Sequence, residues 1–369
     1  MIEPKGKIGI REYFAIVILI IGTKVQDDSV AIMYQSLKNA AWMSTLIIGG
    51  IAFILIFILL NVLTRYKGRS FIEIIHHVFG HYVGYIVLFI LWVALSCAII
   101  LDTAIYTDII QTMYFTKTPN LFIYALLMAV CAYVAKKGLE QIGFVSWIVA
   151  PYIKIVLWIA LIFILLQGTV AFLFPLFGPG EWEVIKESTK RSSLLIDFLY
   201  LCFLIPYVRS LKDFKKGTWM ALFYLILQAT VGLAAFVMLF DFTSVTMLNY
   251  PFHEAIRYIN IGFLTNVETL FFPFWLISLF VRFSVYLYIN AILFGALFKI
   301  KHFEYVIPAL ATLYLFIGLI PENPTYTIFQ LREDFVVLAS PLFVFFPFIL
   351  WIMSKIKGDF KNEKAKQHR

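Results

Sequence analysis

The 369-residue chain is 62% hydrophobic and only 14% charged, with a formal net charge of +8. A water-soluble protein needs about a quarter of its residues charged, so this composition excludes a soluble enzyme or binding module and indicates a polytopic membrane protein. The basic residues are scattered over many short segments, which argues against nucleic-acid binding and favours contact with anionic lipid head groups.

Ten apolar segments long enough to cross about 30 Å of hydrocarbon follow one another along the chain. They are predicted at residues 10–37, 41–64, 81–114, 120–137, 140–167, 193–214, 217–241, 263–298, 303–320 and 335–355. The first and sixth are interrupted, the third and eighth are unusually long, and the fourth and ninth are short.

This order of features repeats after five spans. Since five is an odd number, the second set of five must run with opposite topology to the first, which is typical of transporter folds with inverted repeats. We therefore predict an all-α integral membrane protein with ten transmembrane helices in a five-plus-five inverted repeat, in which helices one and six are broken. The repeats are 10–167 and 193–355, joined by an outer connector (168–192) and followed by a basic cytoplasmic tail (356–369).

The basic residues predict the orientation. With the N-terminus in the cytoplasm, cytoplasmic segments carry 20 lysines and arginines, and outer segments carry 7, among them Lys38, Lys186, Arg257 and Arg332. Such an excess on the cytoplasmic side is the rule for short loops. Both termini are therefore predicted to be cytoplasmic.

The interruption of span one has the sequence GTKVQDD, residues 22–28, which we name the first elbow. Unpaired backbone is not tolerated against lipid but can line a cavity, so this stretch is predicted to be unwound. In span six, residues 194–210 form the second elbow, where Pro206 removes a backbone donor. The alternative is that residues 24–28 are an outer loop and that Pro206 merely kinks a helix.

Charged side chains at membrane depth cost roughly 3 kcal/mol each on insertion scales, so each indicates either function or pairing. The candidates are Lys24, Lys154 and Arg282 near mid-span, Asp102, Asp108 and Asp197 in the outer halves, and Asp27 and Asp28 beside the first elbow. Similar numbers of cations and carboxylates favour an internal paired cluster, with structural ion pairing as the alternative. A buried lysine such as Lys154 can also take the place of a sodium ion and release and regain a proton.

Other motifs give little evidence of a metal site or of catalysis. His77 and His81 have a spacing that suits a metal, but no carboxylate or cysteine lies near them in the sequence, so no metal site is predicted. The sequence contains no phosphate loop, nucleophile elbow or zinc-protease helix. We expect neither an enzyme nor a bound cofactor.

The stretch LNYPFHEAIRYINIGFLTNVETLFFPFWLISLFVRFSVYLY, residues 248–288, resembles the spore permease family, the B subunits of endospore germinant receptors. The similar features are Tyr250-Pro251, Gly262-Phe263, Glu268, Trp275, Thr118-Pro119 before span four, and LIPYVRSLKDFKK after the second elbow. The resemblance covers nearly the whole chain and implies the five-plus-five fold of the amino acid–polyamine–organocation superfamily.

What the resemblance implies is a sensor in the inner membrane of a dormant spore. It would bind a small nutrient germinant, an amino acid or similar, and trigger germination with a membrane-bound A subunit and a lipoprotein C subunit. The chain has Val25-Gln26-Asp27 and Phe198-Leu199-Tyr200 where the resemblance implies glycines and a Gly-aromatic-Glu. Close approach of a ligand carboxylate to the backbone needs small residues, so this departure argues against the simple amino-acid pose and favours Asp197 and Arg282 as the polar anchors. A proton-coupled amino-acid permease and a ligand-gated water or ion conduit are alternatives, because a fold does not determine a function.

A ligand cavity in such a fold is walled by spans one, three, six and eight. The predicted pocket comprises Gly22, Thr23, Gln26, Ala98, Asp197, Arg282 and Tyr286, and the structural or proton-responsive residues are Lys24, Asp102 and Lys154. Arg282 needs an anion, which would be Asp197, Asp102 or the germinant's carboxylate. A permanent Asp197–Arg282 pair with the ligand elsewhere is the alternative. Lys154 is predicted to bridge span five to the first elbow.

Overall fold

The computed structural model describes residues 7–194, 197–259, 267–321 and 323–357. Within these ranges the regular structure is helical, and a single parallel β-bridge joins Ile8 to Val208. The helices are α1 (Ile10–Ile20), α2 (Ser29–Leu37), α3 (Ala41–Arg65), α4 (Phe71–Phe79), α5 (His81–Met113), α6 (Asn120–Lys137), α7 (Leu139–Gln167), α8 (Glu181–Lys190), α9 (Phe198–Leu201), α10 (Leu211–Val245), α11 (Pro251–Tyr258), α12 (Val267–Leu297), α13 (Ile307–Gly318), α14 (Pro324–Tyr326) and α15 (Glu333–Ile356).

Seven helical stretches in the described ranges are long and apolar enough to cross a membrane. They are Ser29–Arg65, His81–Met113, Asn120–Lys137, Leu139–Gln167, Leu211–Val245, Glu268–Leu297 and Pro324–Ile356. The predicted spans without such a helix are the two interrupted ones and the short ninth, where the apolar helices are shorter. The all-helical membrane class is therefore observed, whereas the arrangement of ten spans in two inverted halves stays a prediction.

The first elbow interrupts the helix as predicted. Helix α1 ends at Ile20 and α2 begins at Ser29, with a single 3-10 turn, Gly22–Val25, between them. The Asp27 carboxylate starts α2 by accepting the backbone N–H of Ser29 at 2.8 Å. All residues from 21 to 30 are buried, which is not the pattern of a solvent-exposed loop.

The second elbow breaks its helix over a longer stretch. A 3-10 turn, Ser192–Leu194, precedes it, the four-residue helix α9 follows, and a second 3-10 turn, Cys202–Tyr207, contains Pro206. The predicted end of span six at residue 214 is too late. Helix α10 already begins at Leu211, because the Ser210 hydroxyl caps it by accepting the N–H of Asp213 at 3.0 Å.

Helix α12 forms the centre of the bundle. Its most apolar 18-residue window is 83% buried, the highest fraction among the seven candidate spans. Helices α1, α5, α6 and α7 all pack against it. Side chains in the middle of α12 are therefore shielded from lipid, and Arg282 among them is directed toward the first elbow and α5.

A π-helical segment, Thr327–Arg332, precedes α15. Segments of this kind are rare overall, but those that occur are often found at functional sites, because the extra residue per turn redirects side chains. This π segment and α5 contact each other, and α15 packs against the 3-10 turn that precedes the second elbow. The two elbows, α5, α12 and the π segment thus surround one buried region.

Candidate functional site

Buried charges lie where the first elbow, α5, α12 and the π segment meet. We name Asp27, Asp28, Asp102, Arg282 and Arg332 the central cluster. The guanidinium of Arg282 is fully buried and donates hydrogen bonds to the Asp102 carboxylate, to Thr23 Oγ1 at 2.7 Å and to Tyr106 OH at 3.0 Å. These contacts join the middle of α12 to the first elbow and to α5.

Arg332 contacts the same carboxylate from the other side. It bonds Asp102 Oδ1, donates to Ser29 Oγ at 3.0 Å and approaches Asp27 Oδ2 to 3.4 Å. Its Nε also lies 3.1 Å from Asp28 Oδ2. Asp102 is therefore shared between two guanidinium groups, and Arg332 ties the start of α2 to the π segment.

The charges of the central cluster do not balance, because three carboxylates face two guanidinium groups. Asp28 is the group with the weakest pairing. It is fully buried, and neither of its oxygens receives a directed hydrogen bond from a described residue, although Arg332 Nε is within ion-pair distance. An unmatched buried carboxylate is costly, so the excess negative charge has to be offset by a proton or by a cation.

A second ion pair connects the two elbows. Lys24 Nζ of the first elbow lies 2.5 Å from Asp197 Oδ2 of the second elbow, and Tyr286 OH donates to the same oxygen at 2.8 Å. Asp197 thus pairs with Lys24 while Arg282 pairs with Asp102, which differs from the permanent Asp197–Arg282 pair considered as an alternative. The reason is the 3-10 turn, which points the consecutive residues Thr23 and Lys24 in different directions.

A small cavity lies beside the Lys24–Asp197 pair. This central cavity has a volume of about 40 Å³ and is lined by Lys24, Ala98, Leu101, Asp102, Asp197 and Tyr286, with Tyr200, Phe343 and others closing it. It has room for about two or three water molecules, whereas small-molecule sites usually measure 300 Å³ or more. The structure is therefore a closed form of this region.

The predicted pocket residues are only partly brought together. Ala98, Asp197 and Tyr286 line the central cavity, as do Lys24 and Asp102 of the structural group. Thr23 and Arg282 bond each other instead, within the buried charge network. Gln26 is buried away from the cavity, and its Oε1 has no hydrogen-bond partner among the described residues.

Lys154 reaches the first elbow through a glutamine. Its Nζ donates to Gln228 Oε1 at 2.9 Å, and Gln228 Nε2 donates to the Gly22 carbonyl oxygen at 2.7 Å. A Cβ atom at Gly22 would lie 2.6 Å from Lys154 Nζ, so glycine is needed for this close approach. Lys154 thus contacts the elbow with an amide partner rather than a carboxylate.

Arg332 is a functional candidate whose place in the sequence is misleading. The loop pattern predicts that it lies in an outer segment, but it lies within the candidate span Pro324–Ile356 and its side chain is only 3% exposed. The π segment extends span ten outward by a further turn and directs Arg332 toward Asp102. The signal available in the sequence is an arginine that directly precedes Glu333 and the apolar run of α15.

In the described residues, no group of three or more histidine, cysteine, aspartate or glutamate side chains is arranged to hold a metal ion. The buried charges of the site are aspartate, arginine and lysine side chains that contact one another.

Comparison with known proteins identifies the family. The spore permease family model, described as spore germination protein, matches residues 10–327. The chain belongs to the spore permease family. This confirms the resemblance, and the match includes both elbows and the whole of α12.

Two curated relatives of this spore permease support the assignment. Spore germination protein KB of Bacillus subtilis (strain 168) is 25% identical over 309 residues, which cover 81% of this chain and 80% of the relative. Spore germination protein XB of Bacillus anthracis is 21% identical over 285 residues, covering 75% of this chain and 79% of the relative.

Two residues of the stretch that resembles the family make buried or hydrogen-bonded contacts in the structure. Trp275 is fully buried, with its ring centroid 4.6 Å from that of His253, and Tyr250 OH donates to Asp108 at 2.5 Å. Gly262-Phe263 lies outside the described residues. In this spore permease the family match ends at residue 327, so Arg332 lies beyond it.

Proposed function

We propose that this spore permease is the B subunit of a germinant receptor. It binds a small nutrient germinant between the two elbows and triggers germination with A and C subunits, in the inner membrane of the spore. The chain would cross that membrane ten times, with both termini in the cytoplasm, and would catalyse no reaction. Family membership and the seven candidate spans support this assignment.

The observation that carries the proposal is the Lys24–Asp197 pair at the central cavity. An amino-acid germinant carries one ammonium and one carboxylate group. Its carboxylate can pair with Lys24 and its ammonium with Asp197, so that both protein charges stay matched when their direct contact opens. Matching both charges is necessary, because a buried ion pair that loses one partner costs about 3–5 kcal/mol.

The size of the central cavity makes this binding a conformational event. The 40 Å³ available cannot hold an amino acid, so the elbows must separate when the germinant enters. The ligand then replaces a direct elbow-to-elbow contact with a longer bridged one. A protein that changes shape in this way on binding is suited to signal to partner subunits.

Filling the cavity tests the proposal. Ala98→Phe puts a phenyl ring where only 40 Å³ is free, and overpacking of this kind costs about 1–3 kcal/mol. Where this cost falls on the germinant-bound form, binding weakens by about fivefold to hundredfold. The matched control is Val93→Phe, on the same helix at a position that is 37% exposed. We expect Ala98→Phe spores to lose the germinant response, or to need at least about fivefold more germinant, and Val93→Phe spores to respond normally.

Protein accumulation is measured by immunoblotting of spore membranes, so that a folding defect is distinguished from a binding defect. If both variants accumulate and show the same dose dependence as the parent, the germinant does not bind in the central cavity.

A proton-coupled amino-acid permease is the second candidate, favoured by Lys154. A buried lysine that contacts the first elbow through an amide, with no ion pair to a described carboxylate, is suited to exchange a proton. Uptake of labelled amino acids into vesicles separates the two functions. A receptor subunit takes up none, whereas a permease accumulates the amino acid when a proton gradient is imposed.

A further inference from the structure

A second cavity lies along α5, separate from the central cavity. This peripheral pocket has a volume of about 320 Å³ and lies between the C-terminal half of α5, the start of α6, Tyr250, and residues 318–321 and 324–327. It shares no lining residue with the central cavity. Its size falls at the lower end of the range for small-molecule sites, in contrast to the closed central cavity.

The peripheral pocket carries one negative charge. Asp108 is the carboxylate among its described lining residues, and the described residues offer it no ion pair. Its Oδ2 accepts hydrogen bonds from Tyr250 OH at 2.5 Å and from Thr112 Oγ1 at 3.4 Å, both of which are neutral groups. These bonds hold the carboxylate in position without neutralising it, so the pocket favours a cation.

The pocket also offers hydrogen-bond acceptors that no described group uses. Asn120 Oδ1 is buried and has no partner among the described residues. The Gln111 side chain donates through Nε2 to the Thr118 carbonyl oxygen at 3.3 Å, and no described group donates to its Oε1. With Asp108 Oδ1, three side chains therefore offer acceptor oxygens. The Tyr250 hydroxyl already donates to Asp108 and the Gln111 amide to Thr118, and the Asn120 amide nitrogen is the further side-chain donor among these groups.

Acceptors of this kind suit a primary ammonium group, which has three N–H donors and a positive charge. A bare metal ion would leave most of the volume empty, whereas Ala104, Ile105 and Leu319 in the wall can contact an alkyl group. We propose that the peripheral pocket is a second ligand site, which binds a small solute with a primary ammonium group and a short apolar portion. This inference does not depend on germinant binding at the central cavity.

The test measures protection of a cysteine by propylammonium chloride. Leu319 lines the pocket and is half-buried, so Leu319→Cys is introduced into a full-length chain from which Cys97, Cys131 and Cys202 have been removed. The purified protein in lipid nanodiscs is exposed to a small cationic thiol reagent, and the rate of modification is measured against the concentration of propylammonium. Nanodiscs expose both membrane faces, so the result is independent of topology.

We expect propylammonium to slow the modification with a saturable dose dependence. Asp108→Asn should weaken this protection by about tenfold or more, because a hydrogen bond to a charged group contributes about 1.5–3 kcal/mol. Asp334→Asn removes an exposed carboxylate and serves as the matched control, which should not change the protection.

If Asp108→Asn fails to fold, as judged by gel filtration, Gln111→Leu replaces it and should weaken protection several-fold. The proposal is overturned if the parent shows no protection, or if the folded pocket variant is protected as well as the parent. It is also overturned if equal concentrations of 1-propanol or potassium chloride protect equally, since the pocket would then not select an ammonium group.

Discussion

Replacing Arg332 by methionine tests whether the central cluster is held together by charge. Arg332 is the group within ion-pair distance of Asp28, and it also contacts Asp27 and Asp102. Arg332→Met keeps the volume and removes the charge, leaving three buried carboxylates with only Arg282. Breaking a buried pair on one side costs about 3–5 kcal/mol, so we expect a loss of that size in the free energy of unfolding.

A second substitution separates charge from packing. Asp28→Asn has nearly the same shape as the parent residue and removes the carboxylate that exceeds the two guanidinium groups. Alone it should be neutral or stabilising, and in combination with Arg332→Met it should recover about 1–3 kcal/mol, the usual coupling of contacting charges.

The assay is reversible unfolding of the purified protein in mixed micelles, followed by circular dichroism. The matched control is Lys186→Met. Lys186 pairs with Glu183 on α8, and both side chains are 43% exposed, so its loss should cost no more than about 1 kcal/mol.

An Arg332→Met variant that loses no more stability than Lys186→Met would show that charge does not hold the central cluster together. A loss of about 3 kcal/mol or more for Asp28→Asn alone would show that Asp28 is a well-matched charge.

Three further predictions concern topology and the first elbow. In a background without native cysteines, cysteines that replace Lys38, Lys186 and Arg257 should react with an impermeant thiol reagent applied outside. A cysteine that replaces Arg69 should be protected, and its reaction would overturn the proposed orientation. In spore germination assays, Lys154→Met should reduce the germinant response. Lys154→Arg should not restore it, since the longer guanidinium side chain does not fit beside Gly22. A full response from the methionine variant would contradict this. Gly22→Ala should act like Lys154→Met by displacing the ammonium group, whereas Gly50→Ala, where a Cβ meets no atom within 4 Å, should be silent in the same assay.

The positions of the elbows could be predicted because they depend on local chemistry. Gly22 together with Asp27 and Asp28, and Pro206 in the sixth span, interrupt apolar runs that otherwise continue as helices. The lengths of α5, 33 residues, and α6, 18 residues, follow the apolar runs closely for the same reason. The number of membrane crossings is harder to predict from local chemistry, since a broken or short span lacks a helix long enough to be recognised by its length.

The choice of partners within the site could not be predicted. Asp102 and Asp197 lie at similar depths, so hydropathy cannot tell which of them pairs with Arg282. The direction of side chains leaving a 3-10 turn decides this, and that direction depends on how the turn packs against α12. The burial of Arg332 could not be predicted for a related reason, because a π segment cannot be recognised from apolar periodicity.

The β-bridge between Ile8 and Val208 has a mechanical consequence. Ile8 N–H donates to the Tyr207 carbonyl oxygen at 2.9 Å, and Arg209 N–H donates to the Ile8 carbonyl oxygen at 2.9 Å. The segment that enters α1 and the segment that leaves the second elbow are thus clamped backbone to backbone, so neither can tilt or slide alone without losing both bonds. A displacement that starts at either elbow therefore moves both segments together at this end of the bundle.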